Sequence, residues 1–195
     1  MATFEEQVEY LTGITISSSS TYPTQDQVTQ FLHDGVIDVT SRCISINPKE
    51  ANKFSRRSGE TTSQGYDPGG AQILSVIRES GTNNDWRPCR YIDPSLQSRV
   101  TDSDSLLYSS KFNPAYTIED DGKIYIYPEP GSDPNAYKVY FVNSSPIDGD
   151  GNPLTFADST LGSFPNNKVY LVVIYASIKS LENAMAAKNI PTVSG

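Results

Sequence analysis

Apolar residues recur at helical spacing at both ends of the chain, whereas they alternate with polar residues in the middle. Near the N-terminus, Thr3–Glu6 and Thr24–Gln27 both have the Thr-x-x-Glu/Gln pattern of a capping box, which marks the start of a helix. We therefore predict one short helix from Phe4 to near Gly13, and a longer helix that Asn47-Pro48 ends.

The longer helix carries one apolar stripe, which we expect to be buried. Gly35 lies on this stripe. It costs about 1 kcal/mol of helix propensity relative to alanine, but it lets a second backbone come close. The stripe consists of Val28, Phe31, Leu32, Val39, Cys43 and Ile46.

The alternating pattern runs from about residue 54 to residue 145 and predicts short β-strands over 72–80, 86–92 and 137–143. Pro88 marks the second of these as an edge strand, because proline cannot donate to a strand ladder.

A β-hairpin is the clearest local signal of this region. Residues 116–118 and 124–126 alternate on either side of Asp121-Gly122, and Asp-Gly supplies the positive φ that a tight turn needs.

The last helical pattern runs from Asn166 to Lys188 and would span roughly 35 Å. Its first half is apolar nearly all round, so a strand over 169–175 is conceivable from β-branching alone. We reject that strand because the pattern continues into residues 181–188, which strongly favour helix. One stripe consists of Leu171, Ile174, Tyr175, Ile178, Leu181 and Met185, and another side of Val169, Val172, Val173, Ala176, Ala184 and Ala187.

The order of elements is helix, helix, β region, helix, which predicts an α+β fold. We expect the terminal helices to pack as a small helical bundle with an inserted antiparallel β region. The predicted helical core domain comprises residues 1–53 and 157–195, and the β-rich insertion comprises residues 54–156.

Composition narrows the possible functions. The 195 residues carry a formal net charge of −8, which disfavours specific nucleic-acid binding as the main role. Cys43 and Cys89, the two cysteines, do not make a disulfide framework or a zinc site. The apolar run of the last helix has about half of the roughly 20 residues needed to cross a bilayer, and the N-terminus lacks the pattern of a signal peptide.

The sequence contains only weak signals of catalytic or metal-binding residues. The single histidine, His33, lies beside Asp34, but helix neighbours point in different directions. Residues 148–152 begin like a calcium-binding loop, but Pro153 and Ser159 occupy positions that require glycine and glutamate. We predict no enzyme activity, cofactor, metal site or nucleic-acid site. Tyrosine-rich strands, and a last helix that is apolar nearly all round, are instead typical of an assembly subunit.

Three stretches resemble head-to-tail adaptor or connector proteins of tailed phages, including cyanophage virion proteins and the podovirus adaptors called tail tubular protein A or gatekeeper. The first is FEEQVEYLTG with DQVTQFLHDGVIDVTSRC, the second PAYTIEDDGKIYIYPEPGSDPNAYKVYFV, and the third SFPNNKVYLVVIYASIKSLENAM. The resemblance covers most of the chain in order and spacing, through degenerate motifs.

The resemblance implies a virion neck protein, made in the host cytoplasm, that forms a homo-oligomeric ring of about twelve copies between the portal protein and a tail tube or nozzle protein. DNA would pass through the lumen without specific binding, and no membrane would be involved. An acidic lumen would let DNA slide.

Two sets of residues are predicted to make the contacts of such a ring. Val169, Val172, Val173 and Ala176 would contact a neighbouring helix beyond the monomer core. Ile190, Pro191, Thr192 and Val193 would form an arm that docks into the portal by strand addition. The alternatives are another tail, baseplate or fibre-anchoring protein of different symmetry, and an unrelated enzyme or small-ligand binder.

Overall fold

A computed structural model describes residues 2–143 and 145–188, and it has the α+β fold that the sequence predicts. Its four α-helices within this part of the chain are α1 (Phe4–Thr12), α2 (Gln25–Ile46), α3 (Gln97–Thr101) and α4 (Val169–Lys188). Its strands are β1 (Ser55–Arg57), β2 (Ile73–Glu79), β3 (Trp86–Pro88), β4 (Arg90–Tyr91), β5 (Ala115–Ile118), β6 (Ile124–Tyr127) and β7 (Tyr137–Val142).

The chain divides into a helical unit, Met1–Phe54 with Ser145–Gly195, and a β unit, Ser55–Ser144. The sequence-based division put residues 145–156 in the β insertion, because they look like a polar loop. In the structure, the end of this segment forms backbone hydrogen bonds with the terminal helices. The Glu5 amide donates to the Phe156 carbonyl at 3.0 Å, and the Phe156 amide donates to Thr29 Oγ1 at 3.1 Å.

Both predicted capping boxes form, and they fix where α1 and α2 begin. The Glu6 amide donates to Thr3 Oγ1 and the Gln27 amide donates to Thr24 Oγ1, each at 3.2 Å. Gly13, at φ 69°, closes α1 in the left-handed conformation that glycine adopts without a steric penalty.

The core of the helical unit forms where α4 packs against α1 and α2. Gly35 lies directly against Val172 and Tyr175, so the predicted close approach at this glycine is confirmed. Residues 169–175 are helical, as predicted. The predicted stripe of α2 is wrong at its end, because Ile46 is 84 % exposed.

The β unit contains two sheets. The larger is antiparallel with strand order β1-β7-β2-β3, and the smaller has the order β4-β5-β6. The two-residue pairing of β4 with β5 is parallel, which departs from the antiparallel prediction. Segment 86–92, predicted as one strand, is interrupted at Cys89, and its halves join different sheets. Pro88 lies on an edge strand, as predicted.

Strands β2, β6 and β7 supply the main core of the β unit. Tyr137, the largest fully buried side chain, donates its hydroxyl to the Ser63 carbonyl at 3.0 Å, and burial raises its pKa to about 12. The hairpin of β5 and β6 turns through Gly122 at φ 76°, as the Asp-Gly pair predicts. The core residues are Val76, Ile124, Ile126, Tyr137, Val139 and Phe141.

Candidate interaction surface on helices α1 and α4

Helix α4 has two apolar faces, only one of which is covered by the helical unit. At 100° per residue, its buried residues share one side of the helix. They are Val172, Val173, Ala176, Ser177 and Ser180. The opposite side is also apolar, over an arc of about 100°, and it faces outward. We call this second side the outer face of α4; it comprises Tyr170, Leu171, Ile174, Ile178, Leu181 and Met185.

The outer face is substantially accessible. Tyr170 is 59 % exposed, Ile178 50 % and Met185 62 %. A helix that is apolar all round is normally buried all round, so the outer face of α4 is not fully covered by residues 2–143 and 145–188.

An apolar groove continues this surface onto α1. It has a volume of about 430 Å³ and lies between the end of α1 and the first turns of α4. Tyr10 and Leu11, both largely exposed, form its α1 side, and Tyr170 and Ile174 form its α4 side. The groove and the outer face therefore make one continuous candidate interaction surface.

A second recess, of about 440 Å³, lies on the other side of Tyr170. Ala2, Leu161 and Val169 contribute to its walls. Val169, one of the four predicted helix-contact residues, is partly exposed there.

The other three predicted contact residues lie elsewhere. Val172 and Ala176 have no exposed surface and Val173 is 3 % exposed, because all three pack within the helical unit. They are core residues in this fold and are not available to a neighbouring copy, so the prediction is corrected on this point. The residues that a neighbouring copy could contact are those of the outer face of α4.

Small side chains distinguish the inner face of α4 from its outer face. The inner face carries Ala176, Ser177 and Ser180, and small side chains let a neighbouring helix approach closely. Where α2 meets α4, the room is on the α2 side, because Gly35 faces Val172 and Tyr175. The outer face carries only large apolar side chains. The small residues are therefore the sequence signal for the inner face, and the prediction of the contact residues did not take it into account.

The predicted docking arm, Ile190, Pro191, Thr192 and Val193, lies outside the described residues.

Charged groups lie at the border of the surface rather than on it. Lys179 Nζ contacts Glu182 Oε2 at 2.8 Å within α4, which neutralises the two charges that flank the outer face. An uncharged apolar surface of this kind fits a protein partner better than a nucleic acid.

The polar clusters of the helical unit have structural partners. His33 Nε2 donates to the Leu154 carbonyl at 2.8 Å and ties α2 to the loop that precedes α4. Asp148 accepts hydrogen bonds from the amides of Asp150 and Asn152, which close the calcium-loop-like segment on itself. Burial acts to raise the Asp148 pKa, but these hydrogen bonds outweigh it and lower the pKa overall.

The two thiols have different surroundings. Burial raises the pKa of Cys89 to about 12, so its side chain stays protonated at neutral pH, and the protonated thiol is unreactive. Cys43 Sγ lies 3.3 Å from Lys168 Nζ, which also contacts Glu50 at 2.6 Å. Among residues 2–143 and 145–188, no group of three or more His, Cys, Asp or Glu could hold a metal ion.

The sequence matches no protein-family model, and no curated protein sequence is significantly similar to it. Within the described part of the chain, no helix has both the length and the apolarity to cross a membrane.

Proposed function

We propose that the protein is a structural virion subunit that forms a ring joining the portal of a tailed phage to its tail, and that DNA passes through this ring. The observation that carries the proposal is the continuous apolar surface formed by the groove and the outer face of α4. Tyr10, Tyr170 and Met185 all expose more than half of their surface there. Monomeric proteins rarely leave contiguous apolar patches of this kind uncovered, and such patches mark sites of protein contact.

Ring closure requires each copy to present two different surfaces, one to each neighbour. The groove between α1 and α4 is concave, and it can receive a projecting apolar segment of the next copy. The acidic net charge of −8 suits a conduit, because a negatively charged wall repels the DNA backbone.

The direct test is the position and symmetry of the protein in isolated virion necks, measured by electron microscopy with a tag on the chain. The adaptor function predicts about twelve copies directly below the portal. A sixfold or threefold arrangement farther down the tail would instead identify another tail or baseplate protein. Absence from the virion would overturn both.

The contact surface is tested separately by reconstitution with portal rings. Leu11→Asp introduces a charge into the groove at a position that is 60 % exposed, so the monomer is expected to fold. We expect it to abolish ring formation on the portal, whereas Ile46→Asp, at an exposed apolar site outside the groove, should leave it intact. Normal rings from the Leu11 variant would exclude the groove as the subunit contact.

A further inference from the structure

The outer face of α4 has a regular spacing that limits what can cover it. Its residues follow intervals of three, four, three and four, which is the a/d pattern of a heptad repeat. They are Leu171, Ile174, Ile178, Leu181 and Met185, and we call this set the seam. Such a seam stays aligned with another helix that runs beside it at a small angle.

The spacing disfavours the other ways of covering an apolar face. A strand presents side chains every second residue, so it matches a seam of this kind over only one or two positions. A bound peptide in extended conformation has the same mismatch. A helix with its own three-four spacing matches the seam over its whole length, because knobs from each helix enter holes of the other.

The area of the surface is close to that of one side of a standard protein interface. The exposed parts of the seam, with Tyr170 and the neighbouring Tyr10 and Leu11 of α1, leave roughly 700 Å² accessible, against about 800 Å² per partner in a standard interface. Most of this area is apolar, as in interfaces between copies of one chain.

The charges of α4 allow two copies of the seam to meet. The five seam positions are uncharged, Lys179 and Glu182 beside them neutralise each other within their own helix at 2.8 Å, and Lys188 lies at the end of the helix, three residues beyond Met185. A second identical seam that runs antiparallel therefore brings no like charge against the first, because the two Lys188 side chains then lie at opposite ends of the contact. A strongly acidic or basic partner would gain nothing from this face.

We infer that the isolated protein is a dimer in which the seam of α4 packs along the seam of α4 in a second copy. One surface used twice makes an isologous contact, which closes at two copies and does not propagate. The inference goes beyond the proposed function. A ring that uses this face would form only after the dimer dissociates. Dimerisation would therefore compete with ring formation by free subunits.

The experiment is sedimentation equilibrium of the purified full chain between about 1 and 100 µM, a range in which a pair with a dissociation constant below about 100 µM is detected. We expect the mass of a dimer at the upper end. Ile178 is half exposed at the centre of the seam, so Ile178→Asp should fold normally and raise the dissociation constant at least about tenfold.

The matched control is Ile37→Asp, the same substitution on α2 at a residue of similar exposure, 46 % against 50 % for Ile178. The dimer should persist in this control. Circular dichroism of both variants checks that the helices are retained. If Ile178→Asp unfolded the chain, Ile178 would be a core residue and the seam would not be a free surface, which overturns the inference.

The remaining outcomes are equally decisive. A monomer throughout the concentration range, an assembly larger than two, or equal weakening by the Ile178 and Ile37 variants would each overturn the pairing. None of these results bears on where the protein lies in a virion. A protein that dimerises through α4 but is absent from virion necks would retain this inference and lose the proposed function.

Discussion

Gly35 of α2 lies so close to Tyr175 of α4 that a methyl group on Gly35 would be 3.1 Å from Tyr175 Cδ1. The same methyl group would lie 3.3 Å from Val172 Cγ1. The contact joins the two longest helices at the centre of the helical unit. A larger side chain at this position must therefore push these two side chains, or α4 itself, aside.

Gly35→Leu is expected to destabilise the helical unit even though leucine is the better helix former. Overpacking a tight contact costs about 1–3 kcal/mol, and the gain in helix propensity offsets about 1 kcal/mol of that. Because leucine adds four carbon atoms, its cost lies in the upper part of this range, and we expect a net loss of about 1–2 kcal/mol, measured by urea unfolding followed by circular dichroism. Ser41→Leu, on the exposed side of α2, is the control and should change the free energy of unfolding by less than about 0.5 kcal/mol. An equally stable Gly35 variant would contradict the tight contact.

Local signals predicted local structure well. The capping boxes at Thr3 and Thr24, the left-handed Gly13 and the hairpin turn at Gly122 all depend on interactions within a few residues, and a single sequence contains these. Even the close approach at Gly35 could be predicted, because a glycine on an apolar helix stripe has few other purposes.

Features that depend on distant partners could not be predicted in the same way. Helix α4 has two apolar faces, and hydrophobicity alone does not say which one its own chain covers. The small residues Ala176, Ser177 and Ser180 mark the buried face, whereas the outer face carries only large apolar side chains. Likewise, nothing local marks the break at Cys89. The chain leaves one sheet and joins the other there because β5 offers a second edge for Arg90 and Tyr91.

The same substitution should have a large effect at one residue of α4 and a small effect at the next. Val173 is 3 % exposed and Ile174 is 42 % exposed. Val173→Asp buries an unpaired charge, so we expect it to destabilise the helical unit by more than about 3 kcal/mol. Ile174→Asp leaves its carboxylate in water and should cost less than about 1 kcal/mol.

Thermal unfolding at low protein concentration measures both variants without a contribution from self-association. Loss of helical signal in the Ile174 variant, or a native melting curve for the Val173 variant, would reverse the assignment of the two faces.

The ion pair of Lys168 with Glu50 should make stability depend on pH. Hydrogen bonds from Lys168 and then Lys53 lower the pKa of Glu50, and the bond to Glu50 raises the pKa of Lys168. The contribution of Glu50 is therefore present above its unfolded pKa, about 4.3, and is lost as the pH falls through its lower folded pKa. The contribution of Lys168 is present below its unfolded pKa, about 10.4, and is lost as the pH rises through its higher folded pKa.

Lys168→Met should consequently lower the urea midpoint near pH 7, and the difference from the parent protein should shrink below about pH 4. Lys53→Met is the control, because the Lys53 side chain is 60 % exposed against 21 % for Lys168, and its pair should contribute less. A pH-independent difference for the Lys168 variant would mean that it acts through packing against Phe54, whose ring centre is 5.9 Å away.

Cys89 should resist alkylation in the native protein. Burial raises its pKa to about 12, so the reactive thiolate is nearly absent at neutral pH. In a Cys43→Ser variant, which leaves Cys89 as the single thiol, iodoacetamide should modify the chain slowly until urea is added. Intact-mass spectrometry over time measures this. Rapid modification without urea would show that the strand break at Cys89 opens readily.

The loop that precedes α4 should be sensitive to one added carbon atom at Gly162. A Cβ there would overlap the carbonyl oxygen of Asp148 and lie 3.0 Å from Ile147 Cγ1, and the Gly162 amide donates to the Ile147 carbonyl at 2.9 Å. Since the blocking atom is backbone, a rotamer change cannot relieve the overlap, and Gly162→Ala should destabilise the helical unit by about 2 kcal/mol or more.

Gly59→Ala is the matched control, because a Cβ at Gly59 meets no atom within 4 Å and the backbone there is not left-handed. It should be neutral, or stabilising by up to about 1 kcal/mol through a less flexible unfolded chain. Urea unfolding of both variants, followed by circular dichroism, compares them directly. Equal effects would mean that the loop moves aside at Gly162, and that the contact between residues 147–148 and 162 does not hold this loop in place.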